Sequence, residues 1–237
     1  MRVCCVVGVG EHGIGEHVAK KFAAEGFRVA MLARRKANLD QLEQEVPNSK
    51  GFVCDTSKTD QVTEAAALIE QELGPIEALI YNASAGPFKP LMETTQEDFD
   101  LALATGPSGL FAFVKAVVPG MVSRGSGVIG VTGATAAWRG MPQTAAKAPA
   151  NGAMRLLCQS LARDLGAKGV HVFHVVIDGL VDQPRTHQWC PDKPEGEFLP
   201  PAAIAETYWH LANQPRACWG FEVNLVAGPC CGTMASI

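Results

Sequence analysis

Apolar positions along the chain fall into two alternating rhythms. Residues 3–7, Val-Cys-Cys-Val-Val, form an unbroken apolar run closed by glycines, which predicts a strand buried on both faces. Over 13–25, Ile14, Val18 and Phe22 recur at helical spacing, and Gly26 marks the stop. A second strand follows at 27–32. Leu39, Leu42 and Val46 then mark a short helix ended by Pro47. After a strand at 51–54, Val62, Ala66, Ile69 and Leu73 stripe a helix closed by Gly74 and Pro75, and 78–81 is a fourth strand. A long helix is predicted over 96–124, bent near Pro107 and Pro119. Strands at 128–131, 170–177 and 221–226 alternate with a helix carrying Met154, Leu157, Leu161 and Leu165 and another over 202–212. The Pro-rich stretch 183–201 reads as a mobile substrate-side loop.

Such alternation with short connections predicts an α/β fold. It reads as a doubly wound, Rossmann-type three-layer sandwich with a mostly parallel seven-stranded sheet, in one domain over 1–237. Ligands in these sheets sit beyond the carboxyl ends of the strands, where strand order reverses. Composition narrows the partners. The 237 residues are 47% hydrophobic with a net charge of −4 and no basic stripe, so nucleic acid is not expected. No apolar run approaches the ~20 residues of a membrane span, and the N-terminus turns Gly-rich too soon for a signal peptide. Eight cysteines include the pairs Cys4-Cys5 and Cys230-Cys231 but no C-x-x-C spacing. Cys4, Cys5, Cys54 and Cys158 lie in apolar runs and read as small buried hydrophobes, so no metal and a cytoplasmic location are expected.

The run Gly8-Val9-Gly10-Glu11-His12-Gly13-Ile14-Gly15 follows a strand and opens a helix. Glycines there let the backbone turn tightly and approach a pyrophosphate, whose charge a helix N-terminus favours. At the end of the second strand, where a carboxylate would select NAD, stand Ala33, Arg34 and Arg35. A guanidinium suits a 2′-phosphate, which points to NADP(H); the alternative is a pair of arginines solvating a helix start. Asp55 closes the third strand, either beside an adenine amino group or as a turn residue.

With Gly13-Ile14-Gly15, Arg34-Arg35, Asp55, Asn82-Ala83-Ser84-Ala85-Gly86 and Ser160-Leu161-Ala162-Arg163-Asp164-Leu165, the chain resembles the short-chain dehydrogenase/reductase family from end to end. The resemblance implies NAD(P)-dependent oxidoreduction and a homodimer or homotetramer. It also implies cofactor contacts from Gly8, Gly13, Ile14, Gly15, Arg34, Arg35, Asp55, Asn82, Ala83 and, past the sixth strand, Val181. In the glycine loop the chain departs from the family's spacing, with Gly8 and Gly13 five apart rather than four: either the loop carries one extra residue or Val9 replaces the first glycine, and Glu11 places negative charge among the phosphate contacts with His12 beside it to offset it.

The family's relay uses a tyrosine to move a proton, a lysine four residues later, a serine about thirteen residues earlier and an asparagine on the preceding long helix. Counting from Ser160-Leu161-Ala162 places Asn151 at the lysine position, Lys147 at the tyrosine, Ala134 at the serine and Gly106 at the asparagine. All four groups differ. Lys147, Asn151 and Thr135 remain as candidate catalytic residues, with Thr132 and Gln143 as further polar neighbours, and Pro149 places a helix start close by. Asp178 and Asp182 are candidate acids or turn caps, while His171 and His174 read as ordinary core or surface residues. Three functions compete: an NADP-dependent oxidoreductase with an atypical relay acting on an unknown small molecule, a non-catalytic nucleotide- or ligand-binding protein, and a non-redox enzyme using Lys147.

Overall fold

A computed structural model describes residues 1–228; the Cys230-Cys231 pair lies outside them. Seven strands form one sheet in the order β3-β2-β1-β4-β5-β6-β7: β1 Val3–Val7, β2 Arg28–Ala33, β3 Ser49–Val53, β4 Ile76–Tyr81, β5 Gly127–Ala134, β6 Val170–Asp178 and β7 Glu222–Val226. Every pairing is parallel, β7 included, so the sheet is wholly rather than mostly parallel. The helices are α1 Ile14–Ala24, α2 Lys36–Glu45, α3 Thr59–Leu73, α4 Gln96–Leu103, α5 Gly109–Arg124, α6 Lys147–Leu165, α7 Pro184–Trp189 and α8 Pro201–Ala212.

Alternation along each strand divides the core. Val3, Cys5 and Val7 of β1 pack with α3, α5 and α6, whereas Cys4 and Val6 face α1, α2 and α8. All four of the cysteines read as hydrophobes are buried, with burial holding their thiols above the ordinary range, and Cys54 reaching about 11.

The long helix over 96–124 is interrupted. Pro107 removes a backbone donor, and residues Ala104–Ser108 widen into a π turn between α4 and α5. The Tyr81 hydroxyl donates to the Thr105 carbonyl at this widening, and Gly109 leaves no room for a side chain between that hydroxyl and the Thr56 carbonyl. Pro119 sits within α5. This run is long and apolar enough to cross a membrane by length and composition, but here Leu110, Phe113, Val117 and Met121 are fully buried against the sheet. The stretch 183–201 carries α7, whose first residue is Pro184, where a fixed φ favours helix initiation; sequence reading as a loop missed it.

Strand order reverses between β1 and β4, and Gly8, just past β1, packs there against the Asn82–Ala83 backbone that follows β4. Its φ is +90°, and a Cβ would stand 2.7 Å from the Ala83 nitrogen. Asn82 Nδ2 donates to the Gly8 carbonyl at 2.9 Å, and Gly15 abuts the same carbonyl too closely for any side chain. Gly10 faces open space. Gly8→Ala is therefore expected to destabilise the fold by about 2–4 kcal/mol through overpacking and a strained φ, while Gly10→Ala stays within about 0.5 kcal/mol. Urea unfolding of the two variants checks this; equal midpoints would contradict it.

Candidate functional site

A cleft of about 970 Å³ opens beyond the carboxyl ends of the strands at this reversal. Its wall contains Gly8, Gly13, Ile14, Gly15, Arg34, Arg35, Asp55, Asn82, Ala83, Val181, Ala134, Lys147 and Asn151, residues drawn from loops far apart in the chain. Thr135 and Gly106 are not on it. Thr135 starts a tight turn whose carbonyl accepts from the Trp138 and Arg139 amides, and its neighbours Ala134 and Ala136 face the cleft instead. Gly106 is buried against Met154 and Ala150 of α6, and the adjoining Thr105 reaches the wall.

The glycine loop is held from behind. The Gly8 and Val9 amides both donate to the Leu32 carbonyl, at 2.9 and 3.0 Å. Within the loop His12 adopts φ +56° and donates its amide to Glu16 at 2.6 Å. Glu16, only 3% exposed, pairs with Lys20 at 2.7 Å, and Lys20 in turn reaches Glu45 of α2. Glu16 escapes a sequence reading because a Glu in the first helical turn ordinarily suits the helix dipole at the surface. Glu11 lies on the cleft wall and is exposed.

Arg34 and Arg35 are exposed on the wall and form no hydrogen bond or ion pair among the described residues. Burial pushes the Asp55 carboxyl up, but hydrogen bonds from Ser57 and the charges of Arg34 and Lys58 outweigh it and hold the group below its usual range. Asp55 Oδ1 accepts from the Ser57 amide at 3.0 Å and hydroxyl at 2.8 Å, so it closes a turn while still lining the cleft. Asn82 anchors the Gly8 carbonyl through its side chain. Val181 gives its carbonyl to the Thr186 hydroxyl.

At the far end, α6 begins at Lys147, with Pro149 tolerated in the first turn. Arg155 fixes the helix to β7 through two bonds to Glu222 at 2.6 and 2.8 Å, and His174 donates to the same carboxylate at 3.0 Å. Both strand histidines prove to be core residues: burial lowers the pKa of each despite its hydrogen bond. Asn151 Nδ2 turns back to the Lys147 carbonyl at 2.9 Å. Lys147 is half-buried; its Nζ lies 3.5 Å from the Ala85 carbonyl and 5.1 Å from the centre of the Phe88 ring. Burial and then the nearby Arg185 charge hold its pKa below the ordinary lysine range.

The chain has two tyrosines, and both are fully buried beneath the site. Tyr81 is engaged by Thr105, and the Tyr208 hydroxyl lies 2.6 Å from that of Thr132, itself on the wall. Burial pushes both phenols far above their usual range. Gln143 lines a separate groove with Trp138 and Met141. Asp182 pairs with His187 at 2.7 Å, Asp178 Oδ2 is buried without a hydrogen-bond partner, and neither carboxylate lines the cleft. Phe88, Arg185 and Gln188 do, with no signal in the sequence beyond lying in loops after strands.

Residues 8–214 match a family model described as enoyl-(acyl carrier protein) reductase. The chain is 30% identical over 218 residues to gluconate 5-dehydrogenase of Gluconobacter oxydans, covering 90% of this chain and 80% of that one. Among solved structures, a short-chain dehydrogenase from Rhodopseudomonas palustris is similar at 32% identity with a TM-score of 0.80, over 94% of this chain and 97% of that one. An alcohol dehydrogenase from the archaeon Thermococcus sibiricus, complexed with 5-hydroxy-NADP, shares the fold at 24% identity with a TM-score of 0.85, over 96% and 97% of the two chains.

Among the described residues the Lys147 ammonium has no carboxylate partner to offset its burial. The depressed pKa means that the folded state loses its proton first. Stability therefore rises with pH between that depressed value and the ordinary one near 10.5. Lys147→Met is accordingly expected to raise the melting temperature at pH 7, with the gain shrinking as pH rises through this window. Calorimetric melting of both proteins across pH 7–10 checks it. A lower melting temperature for the variant at pH 7 would show that the ammonium has a stabilising partner.

Proposed function

The chain belongs to the short-chain dehydrogenase/reductase family, and from that premise we propose that its cleft binds NADP(H) and serves an oxidoreductase whose carbonyl/alcohol relay is atypical and weak or absent. The observation that carries the cofactor reading is the pair of exposed guanidiniums, Arg34 and Arg35, without a hydrogen bond or ion pair among the described residues, at the end of β2 on the same wall as the glycine loop. The crowding around Gly8 and Gly15 shapes a backbone cradle of the kind that admits a pyrophosphate. Arg34 and Arg35 would hold the 2′-phosphate, Asp55 would face the adenine end, and Val181 would lie towards the carboxamide. When bound, NADPH supplies a hydride.

The relay reading rests on the tyrosines. With both phenols buried and engaged, no phenol reaches the cleft, and the family's four positions carry Gly106, Ala134, Lys147 and Asn151. Ala134 offers no side-chain hydrogen bond, and Asn151 brings no positive charge and is already spent on the Lys147 carbonyl. Lys147 is the one titratable side chain at this end whose protonation its surroundings perturb, which favours it as proton donor or base in either a redox or a non-redox reaction.

The same reading makes the protein a homodimer or homotetramer packed through α5 and α6, where Phe111 and Leu156 are 52% and 63% exposed. A monomeric mass by light scattering at micromolar concentration would contradict it. For the cofactor, NADPH is expected to bind at least about tenfold more tightly than NADH, and Arg34→Ala to remove most of that preference, since a charge-assisted contact is worth roughly 1.5–3 kcal/mol. Calorimetric titration of both nucleotides reads this directly; equal affinities for the wild type would refute it. For the relay, NADPH oxidation over aldehydes, ketones and quinones should be slow, and Ala134→Ser, Lys147→Tyr and Asn151→Lys together should raise it. Robust wild-type turnover that survives Lys147→Ala would show the chemistry to lie in other residues.

A further inference from the structure

Two cations, Lys147 and Arg185, line the same cleft, close enough for one charge to act on the other, and neither forms an ion pair among the described residues. Lys147 has the Ala85 carbonyl and the Phe88 ring beside its Nζ. Arg185, on α7, lies with its guanidinium carbon 4.9 Å from the centre of the Trp189 ring and forms no hydrogen bond or ion pair among the described residues. The two rings meet edge to face, with centroids 6.3 Å apart, so a lysine, two aromatic rings and an arginine make a continuous row from the β4–α4 loop to α7. Nearby carboxylates are committed elsewhere: Asp98 to Lys89 at 3.0 Å and Asp182 to His187 at 2.7 Å. The acidic residues on the cleft wall, Glu11 and Asp55, belong to the glycine loop and the end of β3. Phe88 and Trp189 remain 56% and 53% exposed although each touches the other.

Unpaired like charges in one partly desolvated cleft are unfavourable until an anion joins them, and the Arg185 charge indeed disfavours the protonated form of Lys147. We propose that this end of the cleft recognises an oxyanion on the substrate, a carboxylate or a phosphate, between Lys147 and Arg185, with the ligand's apolar body against Phe88 and Trp189. The site rests on reading the cleft as the ligand site of an NADP(H)-binding protein, and it names the substrate class as small carbonyl or hydroxy compounds carrying an acidic group.

The test is calorimetric titration of the full chain with benzoate, phenyl phosphate and the neutral benzamide, each with and without saturating NADP+. At least one anion is expected to bind tenfold or more tightly than benzamide, and the tighter of the two identifies the source of the oxyanion. Arg185→Gln and Lys147→Gln should each weaken that binding at least fivefold, while Lys168→Gln, at an exposed residue off the cleft wall, leaves it unchanged. Equal binding of benzamide and both anions, no binding of any of the three, or an anion preference that survives in both variants would overturn the proposal. Displacement of the anion by NADP+ would assign the two cations to the nucleotide and overturn it as well. Anion preference lost in Arg185→Gln but no NADP+ binding would leave this site standing and remove the cofactor reading; NADP+ binding without anion preference would do the reverse.

Discussion

At the point where strand order reverses, the carboxyl end of β1 and the start of the loop after β4 approach until backbone touches backbone. Gly8 lies against the Asn82–Ala83 peptide, its carbonyl takes the Asn82 amide at 2.9 Å, and Gly15 of α1 closes on that same carbonyl. A side chain at Gly8 or Gly15 would force the loops apart. Because this junction is closed, the start of α1 sits against the end of β1, with Gly13, Ile14 and Gly15 on the cleft wall. The loops after β2, β3, β5 and β6 then reach one space.

The far wall depends on a separate anchor. Arg155 and His174 converge on Glu222, tying α6 to the sheet, and this half-buried, hydrogen-bonded set fixes the helix that begins at Lys147. The result is a cleft of two characters: a glycine loop and two exposed guanidiniums at one end, a half-buried ammonium beside the Phe88 ring at the other. The chain's phenols meanwhile stay in the core as packing groups.

Much of this was legible in the sequence, and the exceptions have physical causes. Seven apolar runs separated by helical stripes predict the seven strands, because a sheet covered on both faces needs unbroken apolar strands. The glycine loop and the arginines after β2 announce themselves by position. Gly106 comes from a residue count and Thr135 from its place beside Ala134, and neither tells which way a helix turns after a π widening or which residue of a tight turn faces inward. Helix α7 escaped because Pro184 and its neighbours read as a loop, although proline is well suited to a first helical position. Glu16 and Arg185 carry no local signal at all; their roles exist only once distant segments pack.

The central claim is that a cleft without a reachable phenol still holds NADP(H) against Arg34 and Arg35. The most direct measurement is a crystal structure of the NADPH complex. The account predicts the 2′-phosphate within hydrogen-bonding distance of the Arg34 or Arg35 guanidinium, the pyrophosphate over the Gly13–Gly15 amides, and the nicotinamide ring directed towards Lys147. A nucleotide bound with its adenosine phosphate away from both arginines, or a cleft that takes up no nucleotide at saturating NADPH, would contradict it.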